Sequence, residues 1–565
     1  MARRSTPKTD RSAPAPKRAV YDLRSRRIAV FAFAFSGMAA LMYEVLWTRE
    51  LELVFGSTVY AVSMMLAAFM SGLSLGAFLG GKWTDRSTDL LGLFGKLEFG
   101  IAVFGLLSLP LVQVLPTVYF FVYDALRPPF AVFFVIQMLL SFLIMLVPTT
   151  FMGATFPVVS KINTAALDEL GTDVGNVYSI NTLGSILGSL ATGFLLIPLV
   201  GVKATTFIAA ALNLGVSATV FAASRRIPRG TAAITGAIVL GGAVLAGGFS
   251  AQSAFAHNFY RIGDYATFEE YIAYRDALTT RFFADDIHGR VVVFETPDGE
   301  RYLQNSGKIE GSSGSLDAQT TSMLALLPIA SAEDPHSVLV VGLGTGLTTR
   351  AALSAPVAKV DTVEINESVV EASRLFVGSE VESDPRSTIV VADARNHLMR
   401  TETRYDVVTS EPSYPLSSSV SHLFTLEYFE LVESRLNDNG VFLQWLPRYL
   451  LTDEDTTMML KTFSQVFPNL YVWGSNQGAD EAVDLMLIGV KGDRQLDPNA
   501  VDAALRASVD FPLDIGYFGG PAEVSALVAD SSAPLNTDDR PVLEFRTPRN
   551  QIDFYRARTE GIEVQ

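Results

Sequence analysis

The sequence predicts a chain with two unlike halves: a multi-pass α-helical membrane bundle, then an α/β domain of Rossmann-like fold with a small N-terminal β element. Two observations lead to this prediction. Apolar runs long enough to cross a bilayer fill residues 28–250. Further on, four short apolar strands between residues 337 and 415 alternate with helical segments, which is typical of a parallel sheet with crossover helices. The hydrophobic share of 49% is high for a soluble protein, and the excess lies in the first half.

The membrane half is predicted to hold about seven spans within residues 28–250. A further, partial segment is compatible with residues 116–129. Glycines four residues apart recur inside several spans and favour helices that pack on one another, as in a bundle. The expected spans are residues 28–48, 57–80, 90–112, 130–152, 176–200, 203–223 and 231–250.

Residues 1–27 are rich in Arg, Lys, Ser and Pro, which predicts a disordered basic tail on the cytoplasmic side rather than a cleaved signal. The apolar half predicts a multi-pass protein of the cell (inner) membrane, with the lipid bilayer as a partner. Seven spans with the tail inside would leave the C-terminal domain outside the cytoplasm, away from any nucleoside cofactor made in the cytosol. The sequence therefore leaves the span count and the side of the C-terminal domain open.

Composition excludes several classes of function. The net charge is −16 despite the basic tail, which argues against nucleic acid as a partner. This charge is compatible with a cationic substrate, and equally with an acidic soluble surface. There are no cysteines, and the five histidines show no ligand spacing, so no metal is expected. Self-association into a homo-oligomer stays open.

The soluble half is divided into a small β lead-in at residues 257–335 and a nucleoside-binding domain at residues 336–565. The lead-in is predicted to contain a hairpin, with strands at 289–295 and 301–310 around a Pro-Asp-Gly turn. In the second domain, strands at 338–341, 360–363, 389–391 and 406–408 alternate with helices such as 345–354, 366–376 and 424–436. Right-handed crossovers bring the carboxyl ends of such strands to one edge, where ligands bind in folds of the class I methyltransferase type.

The strand ends carry the residues that a nucleoside site needs. Gly342, Gly344 and Gly346 follow the first strand and let the backbone approach a ligand at the start of a helix. Glu364, at the tip of the next strand, suits the two hydroxyls of a ribose, and Asp393 follows the third. The Gly-x-Gly-x-Gly spacing differs from the dinucleotide pattern because position 347 is Leu. It favours a sulfonium nucleoside over a nicotinamide cofactor.

These motifs together resemble the spermidine synthase (polyamine aminopropyltransferase) family, and the whole chain resembles its membrane-fused branch. The similarity covers most of residues 28–548. The motifs that carry it are the hairpin lead-in and residues 341–346, 363–366, 392–394 and 405–412, with 43–47, 178–184 and 536–541 in the remaining parts of the chain.

The resemblance implies transfer of an aminopropyl group from decarboxylated S-adenosylmethionine, the cosubstrate, to a small-molecule polyamine such as putrescine. No metal is implied. By residue matching, the three glycines would line the cofactor and Glu364 would hold its ribose. Asp393 and Ala394 would meet the adenine, and Glu411, at the end of the fourth strand, would be the catalytic carboxylate beside the attacking nitrogen. A carboxylate there can accept the ammonium proton and align the nucleophile.

Three departures from the family pattern concern the amine side. The second acid of the family's catalytic loop falls on Tyr414, and the usual cofactor-side Gln falls on Glu310. The Tyr-His-Glu-Met run is replaced by residues 320–323, while Asp317 remains where the family has an acid. Asp317, Glu310 and Tyr414 are the residues predicted to bind the amine.

Two other functions remain open on the sequence. A methyltransferase that uses ordinary S-adenosylmethionine would share the same glycine-rich turn and acidic strand tips. A polyamine transporter or sensor would bind the ligand without catalysis.

Overall fold

The computed structural model describes residues 21–126, 128–164, 167–224, 268–413, 415, 417, 420–448, 451–475 and 484–560. The predicted fold class is confirmed. An N-terminal helical bundle is followed by a small antiparallel sheet and then by an α/β domain with a larger mixed sheet.

The described part of the N-terminal half consists of helices joined by short connections. Five stretches of it are long and apolar enough to cross a membrane, and the last, Leu170–Ser224, includes two predicted spans. That stretch contains a π-helical turn at Thr192–Leu196 and a break at Gly201, where φ is 77°. The six α-helices are α1 Leu23–Phe55, α2 Val59–Arg86, α3 Leu90–Leu126, α4 Phe130–Asn163, α5 Leu170–Ala191 and α6 Ile197–Ser224.

The helix α3 runs further than the sequence predicts. The expected span ended at residue 112, but the helix continues through Pro110 and Pro116 to Leu126. The segment at 116–129 is therefore mostly the end of α3 and not a separate element. Proline is tolerated inside membrane-type helices because neighbouring groups can satisfy the freed carbonyls. The predicted span at 231–250 lies outside the described residues.

Small residues allow the bundle helices to approach closely, as the glycine spacing predicts. A Cβ atom on Gly76 of α2 would collide with the carbonyl oxygen of Thr150 in α4. A Cβ atom on Gly184 of α5 would collide with the carbonyl oxygen of Ala34 in α1. The backbones of these helix pairs are thus in contact, a packing mode that only glycine permits at these positions.

The described part of the lead-in begins with a helix, which is followed by a four-stranded antiparallel sheet with strands in sequence order. The predicted hairpin is present, but its second strand is interrupted at Ser306 and Gly307, where φ is 48° and 83°. Positive φ at two successive residues makes a tight hairpin turn, so the chain reverses once more. The elements are α7 Phe268–Ala277, β1 Thr279–Asp286, β2 Gly289–Glu295, β3 Arg301–Asn305 and β4 Lys308–Ser312.

The large sheet has the strand order β12-β10-β11-β9-β8-β5-β6-β7. The four predicted strands and the neighbouring β9 are parallel, whereas β11, β10 and β12 extend the sheet in antiparallel fashion. Its strands are β5 Ser337–Val341, β6 Lys359–Glu364, β7 Ser387–Val391, β8 Tyr405–Ser410, β9 Leu436–Pro447, β10 Asn469–Ser475, β11 Asp484–Val490 and β12 Ile515–Gly519.

Helices cover both faces of this sheet and bury its alternating side chains in two cores. Val407 faces the first core, which includes α8, and Val408 faces the second. The helices are α8 Ser315–Ser331, α9 Leu347–Ser354, α10 Glu367–Val377, α11 Glu380–Ser383, α12 Ala394–Arg400, α13 Leu426–Ser434, α14 Asp453–Val466, α15 Pro498–Ala507, α16 Pro521–Ala529 and α17 Val542–Glu560.

The bundle and the lead-in sheet are joined by charged contacts. Arg290 of β2 forms an ion pair with Glu50 at the end of α1 (2.6 Å) and a second with Asp285 of β1 (2.8 Å). Asp285 also accepts a hydrogen bond from the backbone N–H of Val202 in α6 (3.2 Å). These contacts hold the β1–β2 hairpin against two helices, so the lead-in sheet is anchored to the bundle.

Candidate nucleoside and amine site

The glycine-rich turn lies at the carboxyl end of β5. The φ values of Gly342, Gly344 and Gly346 are 95°, 51° and 80°, which residues with a side chain rarely adopt. Gly342 donates a backbone hydrogen bond to Val363 of β6 (2.9 Å), and Gly346 closes the turn onto Leu343 (2.8 Å). The sequence-predicted turn therefore exists and requires glycine for its backbone conformation.

Glu364 ends β6 and is tied to this turn. Its side chain is buried, with one oxygen accepting the backbone N–H of Leu343 (3.0 Å) and the other that of Asn366 (2.9 Å). Burial raises the pKa of Glu364, although these backbone hydrogen bonds oppose the shift. The carboxylate thus lies directly beside the glycine-rich turn, which is compatible with its predicted role at a ribose.

Asp393 and Ala394 lie at the start of α12, next along the sheet. Asp393 is the N-cap residue, and its Oδ1 accepts the backbone N–H of Asn396 (2.8 Å). Its Oδ2 lies 3.8 Å from His422 Nε2. Burial lowers the pKa of His422, and the neighbouring Asp393 opposes that shift. Ala394 is buried in the first turn of the helix. Asp393 therefore has a structural role as a cap besides any contact with adenine.

Glu411 follows β8 and faces the glycine-rich turn. Its backbone N–H donates to Val341 O (3.2 Å), and its Oε2 accepts a hydrogen bond from Thr348 Oγ1 (2.7 Å). A Cβ atom on Gly342 would lie 3.6 Å from Glu411 Cγ. The side chain keeps some exposure, but desolvation of the carboxyl group, with contributions from nearby Glu364 and Glu310 and against the hydrogen bond from Thr348, raises the pKa of Glu411 to about 8. Without a cation beside it, Glu411 is mostly protonated at neutral pH.

Glu310 lies on β4, and the structure pairs it with a residue that sequence reasoning missed. Its Oε2 accepts a hydrogen bond from Lys308 Nζ (2.8 Å), and its Oε1 accepts one from Ser413 Oγ (3.0 Å). Lys308 also hydrogen-bonds to Ser413. Burial lowers the pKa of Lys308, while Glu310 opposes that shift. The predicted amine-binding carboxylate is therefore already paired with a buried ammonium group of the protein.

A Ser-Gly pair inside the predicted second strand is the sequence signal for the position of Lys308. The turn at Ser306 and Gly307 breaks the predicted strand and sends β4 back toward the α/β domain. As a result, a Cβ atom on Gly311 would lie 3.1 Å from Thr345 in the glycine-rich turn. This packing brings Lys308 and Glu310 to the carboxyl edge of the large sheet.

Asp317 lies in the first turn of α8, and its neighbour Asp484 was also missed. Asp484 begins β11 and is 7% exposed. Burial raises the pKa of Asp484 to about 6, and the charge of Asp317 contributes to the increase. A single acid at the start of an otherwise apolar strand was the available signal. Tyr414, the remaining predicted amine-binding residue, lies outside the described residues.

The arrangement gathers three carboxylates and one ammonium group around the glycine-rich turn. Burial raises the pKa of Glu364 and of Glu411, the charge of Glu310 contributes to both shifts, and Lys308 forms an ion pair with Glu310. Such a site stabilises cations, and Glu411 can exchange a proton near neutral pH. Within the described ranges, no group of three His, Asp or Glu side chains is arranged to hold a metal ion.

The comparison with protein families gives a match in this region. The model described as "Spermine/spermidine synthase domain" matches residues 318–474. The C-terminal part of the chain is a spermine/spermidine synthase domain. The matched part of the synthase domain includes the glycine-rich turn, Glu364, Asp393 and Glu411. Glu310, Asp317 and Asp484 lie outside it.

Curated relatives and a solved structure are similar to the synthase domain. The polyamine aminopropyltransferase of Bacillus mycoides is 30% identical over 157 residues, which are 27% of this chain and 57% of that protein. The protein of the same name from Thermococcus onnurineus is 29% identical over 163 residues, 28% of this chain and 57% of that protein. Spermidine synthase from Thermotoga maritima has a TM-score of 0.35 at 24% identity and covers 45% of this chain and 84% of that one. The chain thus spans a little over half the length of the curated relatives.

Proposed function

We propose that the chain is a membrane-bound aminopropyltransferase that moves an aminopropyl group from decarboxylated S-adenosylmethionine to an amine such as putrescine. The observation that carries the proposal is the position of Glu411. It follows β8 at the carboxyl edge of the sheet and lies against Gly342 of the glycine-rich turn, and burial raises its pKa to about 8. A base that must take a proton from an ammonium group works best when its pKa is near the operating pH.

The donor would be held by the residues of the glycine-rich turn and the neighbouring strand ends. The backbone of Gly342, Gly344 and Gly346 would line the nucleoside, Glu364 would accept hydrogen bonds from the ribose hydroxyls, and Asp393 with Ala394 would meet the adenine. The donor carries a sulfonium and an ammonium group. Because the surrounding carboxylates outnumber Lys308, the charge of the site favours such a dication.

The reaction needs only alignment and one proton acceptor. The amine nitrogen attacks the carbon bonded to the sulfonium, a C–N bond forms, and the C–S bond breaks with its electron pair going to sulfur. The products are a neutral thioether, methylthioadenosine, and the alkylated amine. The acceptor nitrogen is an ammonium group in water and must lose a proton before it can attack. Glu411, which the cationic donor keeps ionised, would accept that proton. No covalent enzyme intermediate is required because the sulfonium is already activated.

The bundle supports a lipid bilayer as the environment of the enzyme. Five long apolar stretches have the length and composition of membrane spans, and many of their large apolar side chains are exposed on the outside of the bundle. We infer a multi-pass location in the cell (inner) membrane. The charged contacts of Arg290 with Glu50 and Asp285 would hold the catalytic domain close to the membrane surface.

One assay tests the function directly. The full-length protein, purified in detergent, is incubated with putrescine and either decarboxylated or ordinary S-adenosylmethionine, and the nucleoside products are separated by chromatography. Methylthioadenosine formed from the decarboxylated donor, together with spermidine, supports the proposal. Absence of turnover with the decarboxylated donor and every amine offered would refute it.

A second function is favoured by one specific observation. The Lys308–Glu310 pair presents an ammonium and a carboxylate side by side, which complements the α-carboxylate and α-ammonium of ordinary S-adenosylmethionine. A methyltransferase would use that donor. The same assay separates the two functions, since methyl transfer yields S-adenosylhomocysteine and a methylated amine in place of methylthioadenosine.

A further inference from the structure

A one-turn helix, Ser421–Phe424, lies beside the residues that are expected to meet the adenine. His422 of this short helix places its Nε2 3.8 Å from Oδ2 of Asp393, the N-cap residue of α12. The carbonyl oxygen of His422 accepts a hydrogen bond from Nη1 of Arg395, the second residue of α12 (3.1 Å). The short helix is therefore attached to the start of α12, where the adenine end of the nucleoside site is expected.

Asp538, in the Asn-Thr-Asp-Asp-Arg-Pro motif at 536–541, holds this attachment in place. Its carboxylate accepts two hydrogen bonds from the guanidinium group of Arg395, from Nη1 to Oδ1 (2.8 Å) and from Nη2 to Oδ2 (2.6 Å). Oδ1 also accepts a hydrogen bond from Oγ1 of Thr425, the residue that follows the short helix (2.7 Å). A bidentate arginine–carboxylate pair fixes the orientation of both groups. One acid thus sets the position of the short helix relative to α12.

Asn536, two residues earlier in the same motif, joins the end of the short helix to α17. It has no exposed surface, and its Nδ2 donates a hydrogen bond to the carbonyl oxygen of Phe424 (2.9 Å). Its own carbonyl oxygen accepts the backbone N–H of Leu426 (2.9 Å). Its Oδ1 accepts the backbone N–H of Leu543, in the first turn of α17 (3.1 Å). The short helix and the start of α17 therefore share one buried amide side chain.

The first two turns of α17 continue this connection to the membrane bundle. Glu544 Oε2 accepts a hydrogen bond from Oγ of Ser421, at the start of the short helix (3.0 Å). The carbonyl oxygen of Phe545 accepts a hydrogen bond from the hydroxyl of Tyr60 in α2 (3.3 Å), and the two rings meet edge to face. Arg549 Nη2 donates to the same hydroxyl (3.0 Å). Within two turns, α17 contacts both the short helix and α2 of the bundle.

A direct contact between the bundle and the chain before the short helix supports this connection. Ser57 precedes α2, and its hydroxyl lies 3.0 Å from the hydroxyl of Ser417. Ser417 follows Glu411 by six positions and precedes the short helix by four. The bundle therefore contacts the chain that leads from β8 to the short helix directly as well as through α17.

We propose that residues 536–549 connect the membrane bundle to the nucleoside site and hold Ser421–Phe424 at its adenine end, so that affinity for the donor depends on the bundle. The inference rests on the proposed function and goes beyond it by giving the bundle a role in donor binding. Asp538 and Tyr60 are positioning residues, which act through the groups they hold. Groups that line a binding site must be held to within about 0.5 Å, so contacts that support them affect affinity.

The affinity for methylthioadenosine, measured by calorimetry on the full-length protein in detergent, tests the role of Asp538. Asp538→Asn removes the charge that holds Arg395 and should raise the Kd by about fivefold to tenfold. The KM for decarboxylated S-adenosylmethionine should rise in parallel, while the KM for the amine and kcat at saturating donor change by less than about twofold. The side chain of Asp538 is 39% exposed, so thermal unfolding should be almost unchanged. An unchanged Kd would overturn the role of Asp538.

The matched control for this variant is Asp539→Asn, which changes the next acid along the chain and leaves the carboxylate that holds Arg395 in place. Asp539 is exposed. Its replacement should leave the Kd and both KM values as they are in the unaltered protein. A loss of affinity equal to that of Asp538→Asn would attribute the effect to overall charge and overturn the specific role of Asp538.

Tyr60→Ala tests the bundle end of the connection. It removes the hydroxyl and the ring that contact α17, and the Kd for methylthioadenosine should rise by about threefold or more. Tyr178→Ala changes an exposed tyrosine elsewhere in the bundle and is the matched control. The double variant Tyr60→Ala, Asp538→Asn should bind about as weakly as Asp538→Asn alone, because both changes release the same short helix. Unchanged affinity in Tyr60→Ala, or losses that add in the double variant, would overturn the role of the bundle.

Hydrogen exchange separates failure of this inference from failure of the proposed function. The backbone amides of residues 421–426 should lose protection in Asp538→Asn and in Tyr60→Ala and keep it in the two control variants. Unchanged protection in both test variants would overturn the connection. Absence of nucleoside binding by the unaltered protein would remove the proposed function, and the exchange comparison would still decide whether the bundle holds the short helix.

Discussion

Buried acids occur in both halves of the molecule, and they differ in how their oxygens are paired. Glu98, inside the bundle, has no exposed surface, and its two oxygens accept hydrogen bonds from Ser36 Oγ (2.5 Å) and Asn213 Nδ2 (2.7 Å). Asp484, at the edge of the large sheet, is nearly as buried but keeps one oxygen without a donor. An acid paired on both sides stabilises the helices that supply its partners, whereas an incompletely paired acid is suited to a cationic ligand.

The largest effect that tests this comparison is expected at Glu411. Replacement Glu411→Gln keeps the shape of the side chain and the hydrogen bond to Thr348 but removes the proton acceptor, so turnover should fall by about 10²- to 10⁴-fold. Binding of methylthioadenosine, measured by calorimetry, should stay within a few-fold of that of the unaltered protein. Glu402→Gln changes an exposed carboxylate on the same domain and serves as the control. Loss of nucleoside binding together with turnover would mean that Glu411 is structural, as Glu98 is.

The pH dependence of donor binding also tests whether Glu411 accepts a proton or has only a structural role. The raised pKa of Glu411, about 8, means that the free protein holds a proton there at neutral pH, and a cationic donor favours the ionised form. Affinity for decarboxylated S-adenosylmethionine should therefore rise with pH by up to about tenfold per unit below pH 8, and level off above it. The measurement is calorimetry between pH 6 and 9. Glu411→Gln should flatten the profile, and an equally steep slope in that variant would assign the proton to another group.

A smaller effect, on stability only, is expected for Glu98. Glu98→Ala leaves the donors on Ser36 and Asn213 without their acceptor and should destabilise the bundle by about 2 kcal/mol. Thermal unfolding in detergent measures this. Affinity for methylthioadenosine at a temperature where the variant is folded should not change. A specific loss of amine or nucleoside binding in folded Glu98→Ala would contradict the structural role given to this acid.

The smallest effect concerns helix contact in the bundle. In Gly76→Ala the new methyl group meets the backbone of Thr150, and we expect a loss of about 1 to 2 kcal/mol in the same unfolding experiment. Gly81→Ala, on the same helix, adds its methyl group to open space and is the matched control. Equal stability of the two variants would mean that α2 and α4 are not held at backbone contact.

The strands around the nucleoside site could be predicted because their signals are local. Each of the four strands is an apolar run followed by glycine or an acid, and the helices predicted at 345–354, 366–376 and 424–436 begin within two residues of their expected positions. The turn at Ser306 and Gly307 was missed inside a predicted strand, although two residues with positive φ are a recognised hairpin turn. The antiparallel strands β10 and β12 carried no motif, and their place in the sheet depends on long-range pairing.

The candidate site shows the same division between local and long-range signals. The predicted residues Glu364 and Glu411 lie against the glycine-rich turn, as expected for strand tips of one parallel sheet. Lys308 could not be assigned because its partners Glu310 and Ser413 meet only after the lead-in sheet packs on the α/β domain. Asp484 follows Asp317 by more than a hundred residues, and only the sheet order brings the two together.

The sequence by itself determined the two-part organisation, the glycine-rich turn and the acids at the strand tips. Each of these depends on apolar periodicity or on a residue type needed at one backbone position, and such information is contained in a few neighbouring residues. The tertiary structure determined which charged side chains lie close together. Glu310 pairs with Lys308 because the lead-in sheet packs on the α/β domain. The surroundings of Asp484, whose Oδ1 has no hydrogen-bond donor, depend on strand order. The charge balance that selects a ligand is therefore a property of the assembled sheet edge, because electrostatic energies depend on distance and burial and not on position along the chain.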